Sequence, residues 1–109
     1  MKISGFFLFI ALIVVISSGC YRNDTRTGQF HVPQMTTPEC FNILSGRVRG
    51  VEAVQDVKVD YATQTVFVQF DGLKAALKNI EFAIAAAGFD VNDTPAAAAV
   101  KAALPEGCR

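Results

Sequence analysis

Three cysteines carry most of the reactive chemistry of this chain: Cys20, Cys40 and Cys108. A thiolate is a nucleophile, a disulfide partner and a ligand for soft metal ions, which prefer sulfur to oxygen. Cys40 follows Thr37-Pro38-Glu39, a helix-start signal. Thr37 serves as N-cap, Pro38 suits the first turn, and Glu39 favours the positive end of the helix dipole. That dipole stabilises a thiolate at Cys40, so Cys40 is a candidate metal ligand or redox thiol. Met35 offers a thioether and His31 the one imidazole of the chain. A thioether suits copper, which makes Met35 a candidate ligand, whereas a lone histidine on a strand is ordinarily a solvated side chain. The chain has no Ser-His-Asp set, no phosphate-binding loop and no second histidine, and Asp56, Asp60 and Asp71 are dispersed. These residues point to binding and not to an enzyme.

The elements that position these residues begin after a leader. Lys2 supplies a positive n-region, positions 6–16 are an unbroken apolar run, and Ser17-Ser18-Gly19 are small. The run is shorter than the roughly 20 residues that cross a bilayer, so 1–19 reads as a signal peptide. The Ser-Gly-Cys ending resembles a bacterial lipobox, although Ser17 stands where Leu is commoner. Cleavage before Cys20 with lipid on its sulfur is expected, which makes the protein exported and membrane-anchored. The bland alternative is ordinary cleavage near Gly19 and a free Cys20. The remaining chain is nearly neutral, with no basic patch for nucleic acid.

Residues 20–28 are polar and read as a tether. A strand follows over 29–34, with Phe30 and Val32 on one face. A helix begins at Pro38 and carries Phe41, Leu44 and Val48 on one side. Two strands, 54–60 and 65–70, flank a four-residue loop. A helix over 73–87 has Leu77, Ile80, Ile84 and Ala87 as its buried stripe, Gly88 caps it, and 89–91 read as a last strand. This order gives an α+β, ferredoxin-like βαββαβ sandwich over 29–92: an antiparallel four-stranded sheet with two helices on one face. Thr94 then caps an extra C-terminal helix over 96–104, within a tail spanning 93–109.

The sequence around the first helix resembles the heavy-metal-associated domain family, which includes copper chaperones and the periplasmic mercury-binding protein. Val32-Pro33-Gln34-Met35-Thr36-Thr37-Pro38-Glu39-Cys40 looks like its metal loop, Met-Thr (or His)-Cys-x-x-Cys. Gly50-Val51-x-x-Val54, Val57-Lys58-Val59-Asp60, Thr65-Val66-Phe67-Val68 and Ala87-Gly88-Phe89-Asp90 look like its later blocks, in order and at its spacing. The resemblance implies Cu(I) or Hg(II) held by two thiolates, Met35 packed under the loop, and Phe89 as the aromatic beside it.

The departure lies at the chemistry: Thr37 stands where the family has its first metal cysteine. A threonine hydroxyl is a poor ligand for a soft ion. Some bacterial members carry a C-terminal Leu-Pro-x-Cys-Cys-Lys sequence, and Leu104-Pro105-Glu106-Gly107-Cys108-Arg109 resembles it with one cysteine fewer. The resemblance therefore implies that Cys108 replaces the missing loop cysteine. Two functions follow as expectations. One is a lipid-anchored, monomeric carrier or buffer of Cu(I) or Hg(II) using Cys40 and Cys108, exchanging metal with a transport protein of similar fold. The other is a degenerate member without metal, in which Cys40 and Cys108 form a structural disulfide worth roughly 4 kcal/mol by loop entropy.

Overall fold

The protein is described by a computed structural model covering residues 24–109. The leader expected over 1–19 and the lipidation expected at Cys20 lie outside the described residues. The elements are β1 (Thr25–His31), α1 (Pro38–Val48), β2 (Val54–Asp60), β3 (Thr65–Asp71), α2 (Leu77–Ala86) and α3 (Ala98–Ala102), with a final 3-10 turn, Glu106–Cys108.

β3 lies between its neighbours, in the order β1-β3-β2, and both pairings are antiparallel. Phe30 opposes Val66 and Gly28 opposes Val68 across β1 and β3; Val57 opposes Val68 across β2 and β3. Side chains alternate along a strand, so Phe30, Val57, Val66, Val68 and Phe70 share one buried face. Leu44 and Val48 of α1 and Ile80 and Ile84 of α2 complete this core, each 0% exposed. α1 starts as its sequence dictates: Thr37 is extended and its hydroxyl accepts from the Cys40 amide at 3.4 Å.

Several boundaries differ from the sequence expectation. β1 begins at Thr25, so four residues assigned to the tether are sheet, and it ends at His31 before Pro33. The helix expected over 73–87 starts only at Leu77. The Asp71 carboxylate accepts the Leu73 amide at 2.9 Å, and the Asp71 carbonyl accepts from Lys74 and Ala75. These bonds hold 72–74 as a turn in the manner of an Asx motif. Leu77, expected on the buried stripe, is 55% exposed.

Among the described residues the sheet has three strands, not four. The expected strand at 89–91 is reduced to one bridge, Val91 with Thr94. Asn92 adopts φ +49° and breaks the extended run. Its amide donates to the His31 carbonyl at 2.8 Å and its side-chain oxygen accepts the His31 amide at 2.9 Å. One asparagine thus satisfies the end of the β1 edge that a fourth strand would have paired. The C-terminal helix is five residues long, shorter than the expected 96–104, and Thr94 does not cap it; its hydroxyl binds Glu81 at 2.8 Å.

Candidate metal centre

The loop from β1 to α1 turns inward twice. Val32 and Met35 are both 0% exposed, so Met35 is core beneath the loop. Thr37 is exposed, and Cys40, in the first turn of α1, is 1% exposed. The Thr37 hydroxyl lies 3.2 Å from Cys40 Sγ and is placed to donate to it while accepting the Cys40 amide. Thr37 therefore caps the helix and contacts the sulfur.

The tail returns to this point by a path with identifiable fixings. Gly88 follows α2 at φ +100°, a conformation glycine adopts without strain. A Cβ on Gly88 would sit 3.1 Å from Val100 Cγ1 and 3.2 Å from the Lys101 amide nitrogen, so α3 crosses directly over the missing side chain. The Ala97 amide donates to the Ala85 carbonyl at 3.0 Å. The Asp90 carboxylate accepts the Ala96 amide at 2.9 Å and pairs with Lys101 Nζ at 2.6 Å. These partners hold its carboxyl below the usual Asp range, the Lys101 hydrogen bond first and the Ala96 amide second. Leu104, 1% exposed, anchors the end of this segment in the core.

Beyond Leu104 the 3-10 turn presents Cys108 to Cys40. The two are joined as a disulfide with Cα atoms 5.4 Å apart, across a sequence separation of 68. Both cysteines, Met35 and Phe89 belong to one buried cluster, and Phe89 is 0% exposed. The Gly107 carbonyl oxygen lies 3.5 Å from Cys40 Sγ; with no hydrogen on a disulfide sulfur, this is a packing contact.

Gln34 was not singled out by its sequence context, yet it joins the loop to the tail. It is 6% exposed. Its Nε2 donates to the Cys108 carbonyl at 2.8 Å and the Gly88 carbonyl at 3.2 Å, and its Oε1 accepts the Asp90 amide at 2.6 Å. No local pattern announces such a role, because all three partners lie more than fifty residues away in the chain. His31 is exposed at the end of β1. Among the described residues no group of three or more His, Cys, Asp or Glu side chains is arranged to hold a metal ion, and Cys40 and Cys108 supply the only sulfur pair.

No protein-family model matches the chain, and no curated protein matches it by sequence. Solved structures do. Oxidized MerP from Ralstonia metallidurans CH34 is 31% identical with a TM-score of 0.57, the match covering 62% of this chain and 94% of that one. A putative copper-ion-binding protein from Bacillus anthracis str. Ames is 31% identical with a TM-score of 0.57, over 65% of this chain and 100% of that one. The mercury-bound form of MerP, the periplasmic protein of the bacterial mercury detoxification system, is 31% identical with a TM-score of 0.52, over 62% and 94%. Matched to these proteins at 31% identity over nearly their whole length, the chain belongs to the heavy-metal-associated domain family.

Proposed function

We propose that this protein is a lipid-anchored carrier or buffer for one soft ion, Cu(I) or Hg(II), held between the Cys40 and Cys108 thiolates, with the disulfide as its closed state. The observation that carries this reading is the meeting of two cysteines 68 residues apart at the family's metal loop. Their convergence makes good the cysteine that Thr37 replaces. Opening the site takes two electrons and two protons from a dithiol reductant, which leaves as a disulfide while Cys40 and Cys108 become thiols. Metal binding then releases the thiol protons. Thr37 and the α1 N-terminus favour the Cys40 thiolate through hydrogen bonding and the helix dipole.

Both cysteines are 1% exposed, so exchange with a partner's thiolates requires the segment 105–109 to lift from the loop. A Cβ on Gly107 would meet nothing within 4 Å, so this segment has open space on its outer side. A metal-transport protein of similar fold is the proposed partner, and export to a periplasmic or surface membrane the proposed location. Among the described residues no helix is long and apolar enough to cross a membrane. Lipid on Cys20 is the proposed anchor, and the protein acts as a monomer and by binding rather than catalysis.

The same burial favours a second reading, in which the disulfide is permanent and the domain is an interaction module without metal. Thiol counting separates the two. Protein isolated from its own compartment is treated with a mild dithiol, its free thiols are counted, and it is titrated with Hg(II). The carrier reading expects facile opening and one tightly bound equivalent. A bond that resists reduction until the protein unfolds, with no stoichiometric uptake, supports the structural reading.

A further inference from the structure

We infer that the turn between β3 and α2 is a lipid-facing surface, so that the anchored domain rests Leu73 and Leu77 on the bilayer and points its cysteine pair away from it. This inference rests on the proposed lipidation of Cys20. Leu73 is 62% exposed and Leu77 55% exposed. They line one shallow groove, about 590 Å³ in volume, with Arg26, Lys74 and Lys78 at its margins. Phe82, further along α2, is a third exposed apolar side chain, 58% exposed, with Lys78 Nζ 5.9 Å from its ring centroid. Leucines ringed by long basic side chains suit the boundary between headgroups and acyl chains, where the stems stay apolar and the charges reach water.

The position of the chain's entry into the domain says what covers this patch. The Gly72 amide donates to the Asp24 carbonyl at 2.7 Å, and Thr25 pairs with Asp71 in the sheet. The chain therefore enters the fold beside Leu73. From Cys20 to Asp24 is four residue steps, a reach of at most about 14 Å when fully extended. A lipid on Cys20 holds this end of the domain against the membrane, and the exposed leucines are the apolar side chains at that end. β1 then runs from Thr25 to His31, a rise of about 20 Å, and leads through the β1–α1 loop to Cys40 in the first turn of α1. The site stands at the outward end, on the side from which an aqueous partner approaches.

Each basic margin residue has an acidic neighbour: Arg26 with Asp24, Lys74 with Glu52 and Lys78 with Glu81. The patch carries little net charge, so contact should occur on zwitterionic lipid and change little with salt. The tether supplies the local concentration that a small apolar patch needs.

The chain contains no tryptophan, so one introduced indole reports its surroundings alone. Full-length Leu73→Trp and Thr36→Trp proteins are extracted from membranes, checked by intact mass for a lipid adduct on Cys20, and reconstituted into phosphatidylcholine vesicles brominated on the acyl chains near the headgroup. The expected result is a blue-shifted emission for Leu73→Trp, quenched several-fold more strongly than that of Thr36→Trp, whose site is exposed at the loop. Equal quenching at both, or none at Leu73→Trp, overturns the inference. If the mass shows no adduct, lipidation fails on its own. The patch is then judged by adding the same vesicles to the unlipidated protein: quenching at Leu73→Trp supports it and its absence overturns it.

Discussion

Gln34 donates a hydrogen bond from Nε2 to the Cys108 carbonyl at 2.8 Å, linking the β1–α1 loop to a residue 74 positions later. The bond holds a main-chain atom, so it does not require the disulfide. If the bond persists when the sulfurs are reduced, Gln34 raises the effective concentration of Cys108 for Cys40. Gln34→Leu leaves the Cys108 and Gly88 carbonyls and the Asp90 amide without this partner. It should destabilise the domain by about 1–3 kcal/mol and make the bond easier to reduce, as read by urea unfolding and by thiol–disulfide equilibration. A variant matching the parent in both would remove Gln34 from the account.

Gly88→Ala tests the crossing of α3. An alanine at φ +100° is strained, and its methyl group would press on Val100 and the Lys101 amide. The expected loss is about 1–3 kcal/mol, with faster hydrogen exchange in α3 and the tail than in the sheet. Unchanged exchange at Leu104 and Cys108 would mean that the tail is not positioned at Gly88.

Two positions of the expected buried stripe, Ile84 and Leu77, should separate sharply. Ile84→Ala empties a fully buried site and should cost about 2–5 kcal/mol. Leu77→Ala, at an exposed position, should stay within about 0.5 kcal/mol of the parent. Thermal unfolding of the two variants decides it; equal losses would contradict the observed start of α2.

Acid should loosen the segment after α2. The Glu81 carboxyl is held low by the Thr94 hydroxyl first and Lys78 second, and Asp90 by Lys101 and the Ala96 amide. Carboxyls depressed in the fold contribute stability that is present above their unfolded values, about 4, and lost as pH falls through their folded values. Stability measured in urea should therefore be level from neutral pH down to mild acid and fall below it, with a shallower fall in Asp90→Asn. Stability that rose on acidification would contradict these pairings.

The sequence made the core of this fold legible because the information is local. Alternation places Val66, Val68 and Phe70 on one face, the 3.6-residue period gives Leu44 and Val48, and Thr37-Pro38 starts α1 where expected. What escaped depends on side chains acting at a distance. Asp71 captures the Leu73 amide and delays α2; Asn92 closes the edge of β1 and removes the need for a fourth strand. Gln34 reads as one more strand residue, since nothing near it reveals partners at Gly88, Asp90 and Cys108. Thr37 was legible as a cap but not as the hydroxyl beside Cys40 Sγ.

The most direct test of the account is Cu(I) competition on the reduced chain from Arg22 onward, which keeps every element of the fold and has Cys40 and Cys108 as its only thiols. The parent is compared with Cys40→Ser, Cys108→Ser, and Cys108→Ser combined with Thr37→Cys. The account predicts one equivalent bound by the parent, a large and similar weakening in both serine variants, and recovery when Thr37→Cys restores a local Cys-x-x-Cys pair. Binding by Cys108→Ser as tight as the parent's, or no binding by the reduced parent, would contradict the claim that loop and tail build one soft-metal site.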